Sequence, residues 1–333
     1  NFASTHPLDL TGAEADVLSR ADLVLGLEVD DLFGALHKVD THTREFAPIV
    51  SPQARIVDIS LRDQLIRSWA TDFQRLQPVD LSIAAQSGAA LTQLLAQCRT
   101  VHRGMSPQKK RGLEERKAAI GREHDELRAR WRAEAERASK QSPVSLAWLA
   151  LVAWEAIKGE DWMLANGTLR GWARRLWDWQ KPHQFLGASG GGGLGYGLGA
   201  SLGAALAHRG SGVLCIDLQA DGDFLFTPQA LWTAAHHEIP LLMIVDNNRA
   251  FLNTENHAAA VARHRGRPEE RKVIGTTLED PAVDFSGLAR SFGIHAEGPI
   301  ENPADIQPAL ERAVQEVKRG KAALVDVVTA KGG

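Results

Sequence analysis

Short apolar runs alternate with stretches of helical spacing along most of this chain. Three such runs fall in the first hundred residues, at 21–28 (ADLVLGLE), 54–60 (ARIVDIS) and 80–84 (DLSIA). Runs this short and this uniformly apolar predict buried strands. Residues 87–97 (SGAALTQLLAQ) carry helical spacing, so a small parallel sheet with helical returns is expected, short of a complete doubly wound domain. The pattern changes over 106–140, where Lys, Arg and Glu intermingle. That mixture predicts a solvated connecting helix rather than a nucleic-acid or partner helix. From Ser142 the alternation returns, with a helix over 143–157 and strands at 162–165, 213–219 (VLCIDLQ), 241–246 (LLMIVD) and 323–329 (ALVDVVT). An amphipathic helix over 305–319 precedes the last strand. The expected organisation is α/β throughout: a partial central α/β domain over 1–100, a charged helical linker over 101–141, and a parallel-sheet domain over 142–333.

Within that last domain, residues 219–248 read QADGDFLFTPQALWTAAHHEIPLLMIVDNN. Thr227-Pro228 is expected to start a helix, Thr as N-cap and Pro at the first helical position. The Ile239-Pro240 pair closes it. The segment is therefore one strand–helix–strand crossover, and its two strands run parallel. The DGD cluster and the Asn-Asn pair then both emerge at the carboxyl edge of the sheet, where open α/β sheets bind ligands.

The chemistry of those groups points further. Asp221 offers a hard anionic oxygen and Asn248 a neutral one. Mg²⁺ takes one or two protein oxygens and fills its remaining positions from phosphates and water. Gly222 lets the backbone come close to a phosphate. A carboxylate-Gly pair followed by Asn-Asn, with Asp221 and Asn248 separated by 248 − 221 = 27 positions, resembles the signature of the thiamin-diphosphate-dependent enzymes. Residues 230–248 are similar in particular to the benzoylformate decarboxylase and acetolactate-synthase-like branch. The resemblance spans 142–331, the diphosphate-binding domain of the thiamin-diphosphate-binding fold. The first hundred residues are similar to the later part of that family's Rossmann-like central domain.

The resemblance implies thiamin diphosphate and Mg²⁺ as cofactors, with Asp221, Asn248 and the Ala250 carbonyl as metal ligands. It also places Gly222 and Asp223 at the diphosphate. The family's usual Gly-Asp-Gly-Ser/Ala is Ala220-Asp221-Gly222-Asp223 here, which puts a second carboxylate where diphosphate oxygens are expected. In the glycine run 187–199 (GASGGGGLGYGLG), Gly193, Leu194 and Gly195 match the stretch passing beneath the cofactor, with Leu194 as the apolar wedge that enforces its V-shaped conformation. Asn166-Gly167-Thr168 resembles a loop touching the diphosphate, which adds Thr168 to the cofactor contacts. His257 is a candidate for the substrate pocket, on a polar segment following the metal site.

Read from its glycines alone, the same run contains a G-x-G-x-x-G match at Gly190, Gly192 and Gly195. That leaves an NAD-dependent oxidoreductase as an alternative, weakened because no clear strand feeds the match directly. A non-catalytic cofactor-binding subunit is a second alternative. Among enzymes of the family, a 2-oxo acid decarboxylase or acetolactate-synthase-like carboligase is expected. A 2-hydroxyacyl-CoA lyase or oxalyl-CoA-decarboxylase-like activity shares the same machinery. The family's activating glutamate belongs to a pyrimidine-binding domain with no match here. The chain, which opens at Asn1 without an initiator Met, is expected to be the C-terminal part of a longer or split enzyme that assembles as a homodimer or homotetramer.

Bulk composition narrows the field without choosing within it. The 333 residues are 44% hydrophobic and 24% charged with a net charge of −3, which suits a cytoplasmic protein and gives no argument for nucleic acid or an anionic membrane. No apolar stretch reaches the length of a membrane span. Cys98 and Cys215 are expected as buried, reduced thiols. His236-His237 is expected at a helix end, and Trp172, Trp177 and Trp179 as packing residues, at a subunit interface or around an aromatic pocket.

Overall fold

The structure, a computed structural model, describes residues 2–40, 43, 45–61, 75–167, 169–187 and 193–332, with the Arg170 side chain left aside. It contains two compact units, Pro7–Asp125 and a second made of Asn1–His6 with Glu126–Gly333.

The first unit holds α1 (Glu14–Ser19), β1 (Leu23–Leu27), α2 (Leu32–Leu36), β2 (His37–Val39), β3 (Phe46–Pro48), β4 (Arg55–Ile59), β5 (Leu81–Ile83) and α3 (Ser87–Gly104). Strands β1, β4 and β5 form the expected parallel sheet, in that order. The antiparallel β2–β3 ribbon has no counterpart in the sequence reading. Its strands are three residues each, too short for a period to show. Leu25, Val57 and Leu81 lie in register across the sheet, and Leu23, Leu25, Leu81 and Ile83 are exposed, so β1 and β5 are not the buried strands expected from their apolar runs. Helix α3 has no buried residue, so Cys98 on it is an exposed thiol and not a buried one. The charged stretch forms the single helix α4 (Pro107–Arg137), whose residues divide between the two units after Asp125. Arg132 pairs along it with Glu136 at 3.0 Å, one turn away.

In the second unit follow α5 (Leu146–Ile157), β6 (Trp162–Asn166), α6 (Trp172–Leu176), α7 (Tyr196–Ala207), β7 (Leu214–Ala220), α8 (Asp221–Phe224) and α9 (Ala230–His236). The chain continues through β8 (Leu242–Asn247), α10 (Leu252–His264), α11 (Phe285–Ser291), β9 (His295–Ile300), α12 (Ile306–Lys318) and β10 (Ala323–Val328). Five strands build one all-parallel sheet in the order β6-β7-β8-β10-β9. Alternate strand residues feed two cores. Trp162, Ile216, Ile244 and Val325 join the layer of α5 and α12, while Met163, Cys215, Met243 and Leu324 join that of α7, α9 and α11. Burial on both faces is why these strands read as unbroken apolar runs.

The tryptophans belong to the first of these layers. Trp177 is fully buried, donates to the Ala150 carbonyl at 2.8 Å, and meets Trp162 with ring centroids 5.3 Å apart. Trp179 packs on both, and Trp172 is buried beside them. Their packing is inside the unit, against neighbours on their own chain. Edge strand β9 was not foreseen, because it is only half buried and contains Gly298-Pro299. Helix α12 matches its expectation, with Ile306, Leu310, Ala313, Val314 and Val317 buried. Among the described residues no helix is long and apolar enough to cross a membrane.

Candidate functional site

Because the sheet is parallel, all its strands end at one edge, and the polar residues singled out in the sequence gather there. Strand β7 stops at Ala220 and α8 begins at once with Asp221. The carboxylate is 1% exposed. Its Oδ1 accepts the Gly222 N–H at 2.7 Å and its Oδ2 the Ala250 N–H at 3.2 Å. Burial pushes its pKa up to about 7, against the pull of these backbone donors and with a further push from the Asp246 charge. A Cβ on Gly222 would lie 2.6 Å from the Phe251 ring, so no side chain fits at that position.

The neighbouring strand β8 ends in the other half of the cluster, with Ala220 and Asp246 in register. Asp246 accepts the Thr329 hydroxyl. The Asn pair then divides. Asn247 turns into the sheet and donates to Asp326 Oδ1 at 3.0 Å, holding a carboxyl that burial has raised to about 6. Asn248 is also buried, yet its Oδ1 has no hydrogen-bond partner. Arg249 follows at φ +58, in the left-handed region, and its guanidinium pairs with Glu301 at 2.9 Å. The reversal brings Ala250 back to Asp221, while Phe251 N–H is held by the Thr276 carbonyl at 2.7 Å. A buried, ionisable oxygen and a buried, unpartnered amide oxygen at adjacent strand ends form a donor set suited to a hard cation. Among the described residues no group of three or more His, Cys, Asp or Glu could hold a metal ion.

Asp223 faces elsewhere. Its Oδ1 accepts the Gly195 N–H at 2.6 Å and its Oδ2 the Gln219 side-chain N–H at 2.5 Å. Gln219 Oε1 in turn accepts from Asn166 Nδ2 at 3.1 Å, and the same nitrogen reaches Asp217 Oδ1 at 2.9 Å. Asp217 is fully buried and its pKa is raised to about 7, by burial first, with the Asn166 bond opposing. Asp217 and Gln219 were not assigned from the sequence. The signal was present, since Asp217 and Gln219 interrupt the apolar run VLCIDLQ.

The other sequence candidates fall as follows. Gly193, Leu194 and Gly195 lead into α7, with Leu194 55% exposed and Gly195 at φ +86. Thr168 lies outside the described residues, as do Gly190 and Gly192 of the dinucleotide-type match. His257 is exposed on α10. It stands two positions past Glu255, on the opposite face from the buried Leu252, Glu255 and Ala259. His236 closes α9 as expected and stacks on Trp232 at 4.5 Å. Thr227 is not the cap of that helix. Its hydroxyl donates to the Gly195 carbonyl at 3.2 Å, and Gln229 occupies the cap position without a side-chain bond. Glu255, Lys272 and Lys331 were not foreseen. Glu255 is buried between the two ammonium groups, at 3.6 and 3.9 Å.

Residues 165–327 match the family model described as thiamine pyrophosphate enzyme, C-terminal TPP binding domain. The chain is 26% identical over 175 residues to the acetolactate synthase large subunit of Buchnera aphidicola subsp. Schlechtendalia chinensis, covering 52% of this chain and 29% of that protein. It is 31% identical over 143 residues to a probable acetolactate synthase large subunit of Methanococcus aeolicus, covering 43% and 22%. The chain thus spans less than a third of these curated relatives. Among solved structures, the thiamine diphosphate-dependent 4-hydroxybenzoylformate decarboxylase of Rhodococcus jostii RHA1 superposes with a TM-score of 0.63. That superposition covers 99% of this chain and 54% of that one, at 19% identity, a likeness of fold.

Proposed function

We propose, for a chain whose residues 165–327 are the C-terminal TPP-binding domain of a thiamine-pyrophosphate enzyme, that the carboxyl edge of its large sheet holds the diphosphate end of thiamin diphosphate through one Mg²⁺. Asp221, Asn248 and the Ala250 carbonyl would be the protein ligands. The observation that carries this reading is the Asn248 side-chain oxygen, buried and without a hydrogen-bond donor. A buried acceptor left unpaired costs free energy of about 1–3 kcal/mol, and a cation removes that cost. Asp221 supports it from the other strand. Burial raises its pKa to about 7, so the carboxyl is only partly ionised at neutral pH, and a divalent ion would favour the charged form.

The chemistry supplied by the bound cofactor is attack on a carbonyl carbon and storage of the resulting negative charge. The chain's own residues orient and shield. Asp221 is held by two backbone N–H groups, Gly222 leaves room for the Phe251 ring, and the exposed Leu194 would serve as the wedge against the cofactor. The substrate class in this reading is a 2-oxo acid, decarboxylated or joined to a second carbonyl compound. Its support is the likeness to acetolactate synthases, with a 2-hydroxyacyl-CoA lyase as the related alternative. The pyrimidine-binding half would come from polypeptide outside these 333 residues, in a homodimer or homotetramer.

Calorimetric titration of the native enzyme with thiamin diphosphate, with and without Mg²⁺, tests the site directly. Binding that requires Mg²⁺ is expected. Binding of equal strength without it would overturn the metal assignment, and NAD binding in its place would overturn the family role.

A further inference from the structure

Asp223 stands where the resemblance places a diphosphate contact, and the geometry assigns it a different task. We propose that Asp223 is a positioning residue: by accepting the Gly195 N–H it ties the Gly193–Leu194–Gly195 turn to the same short helix that carries Asp221. The inference rests on the cofactor reading above for its catalytic meaning, and on hydrogen bonds alone for its structural one.

Both carboxylate oxygens of Asp223 are engaged within the protein, one by Gly195 N–H at 2.6 Å and one by Gln219 Nε2 at 2.5 Å. Charge-assisted bonds of this length are among the stronger ones available to a carboxylate. Gly195 is gripped on its other side as well, since its carbonyl accepts the Thr227 hydroxyl at 3.2 Å. Gly195 is therefore held through both its N–H and its carbonyl, the two peptides that flank it, by Asp223 and Thr227 of one short segment. Gly195 itself adopts φ +86, and a Cβ there would come within 3.0 Å of Phe226 and 3.1 Å of Thr227. A Cβ on Gly197 would lie 2.5 to 2.8 Å from Asn166, Gln219 and Asp223, so the start of α7 presses directly on the polar chain.

That chain is directional. Asn166 Nδ2 donates to Gln219 Oε1, and Gln219 Nε2 donates to Asp223 Oδ2. Asp223 ends it as a pure acceptor and takes the Gly195 N–H on its second oxygen. One helical turn thus presents two carboxylates with separate duties. Asp221 receives the Ala250 amide from the loop after β8, and Asp223 receives the Gly195 amide from the loop before α7. The wedge residue and the proposed metal ligand are thereby held at a set spacing through the short stretch of chain from Asp221 to Asp223.

The test is a hydrogen-bond swap in the native holoenzyme. Asp223→Asn sets an amide donor against either Gly195 N–H or Gln219 Nε2. Gln219→Glu sets one carboxylate against another. In the double variant the new amide at position 223 accepts from Gly195 N–H and donates to the new carboxylate at position 219. The second oxygen of that carboxylate still accepts from Asn166, so every partner is matched again. Each single variant is expected to speed hydrogen exchange of the Gly195 amide by about tenfold or more, and the double variant to return it near the wild-type rate. Deuterium exchange at C2 of bound thiamin diphosphate, followed by NMR, should slow in the single variants and recover in the double one, with Mg²⁺ affinity unchanged throughout. Single variants that leave the Gly195 amide as protected as in wild type would overturn the proposal. So would a loss of Mg²⁺ affinity in Asp223→Asn that the double variant does not restore, since that pattern marks a direct metal or phosphate contact. Should Asp223→Asn fail to fold, Gln219→Glu against the double variant carries the same comparison. Failure of the wild-type enzyme to bind the cofactor would overturn the functional reading instead, and the Gly195 amide would still decide the tether.

Discussion

Asp221 Oδ2 accepts the backbone N–H of Ala250 at 3.2 Å, joining the end of β7 to the loop that leaves β8. One carboxylate therefore closes the gap between two neighbouring strand ends, at the edge where the metal is proposed. Removing it should do two separable things: break that link and take away a ligand. Asp221→Ala is expected to abolish Mg²⁺-dependent binding of thiamin diphosphate, a loss of about a hundredfold or more in affinity. Calorimetry on the native enzyme is the measurement, and unchanged affinity would count against the whole assignment. Stripping the wild type with a chelator should give the same loss of affinity, reversed by added Mg²⁺.

The two asparagines that look equivalent in the sequence should separate by mutation. Asn247→Ala leaves buried Asp326 without its donor and should cost about 1–3 kcal/mol of stability. Asn248→Ala removes an oxygen that has no hydrogen-bond partner. It should leave the melting temperature nearly unchanged while weakening Mg²⁺ binding. Thermal melts of the metal-free protein, set beside calorimetric affinities, distinguish the two patterns.

Gly222→Ala should destabilise through contact rather than through backbone strain, because its Cβ would meet the Phe251 ring at 2.6 Å. A cost of about 1–3 kcal/mol is expected for such overpacking. A second substitution, Phe251→Leu, should recover part of it in the same denaturation experiment.

Stability should also respond to pH through Asp217. Its folded pKa, raised to about 7, exceeds the ordinary value of 3.8, so the folded state holds the proton more tightly than the unfolded one. The stabilisation from this group is fully present below pH 3.8 and is lost as pH rises through about 7. Its slope is at most about 1.4 kcal/mol per pH unit. Asp217→Asn keeps an oxygen for the Asn166 donor and should flatten stability between about pH 5 and 8 in denaturant titrations. An unchanged slope would show that Asp217 does not titrate there.

Trp177→Ala should cost about 3–5 kcal/mol, since the ring is fully buried and its N–H is bonded to Ala150. At temperatures where the variant stays folded, Mg²⁺ and cofactor affinity should remain as in wild type. A selective loss of affinity would mean that the tryptophan layer reaches the site.

What could be read in advance depended on how local each signal was. Strands β7, β8 and β10 were visible because both their faces are buried, and the pairing of Asp221 with the loop of Asn248 followed from one crossover between adjacent parallel strands. Edge strand β9 mixes His, Glu, Gly and Pro, and a half-buried edge leaves no such run to recognise. Helix α10 buries only Leu252, Glu255 and Ala259 of its 13 residues, so its polar face dominated the reading. Thr227 has the chemistry of a cap, but its hydroxyl is claimed by Gly195, 32 positions earlier. Asp223 is the sharpest case. From the sequence it is a charge in an awkward place, and only its distant partner, 28 positions back, gives that charge a counterpart.

The absence of any linker between Ala220 and Asp221 sets a limit on change at this edge. Where a strand turns straight into a helix, inserting or deleting one residue rotates everything beyond by about 100°. Both carboxylates of α8 would swing off their amides together. Variation in substrate preference among such enzymes, natural or designed, should therefore accumulate in segments that can absorb extra length, and residues 219–223 should tolerate exchange of side chains but not of spacing.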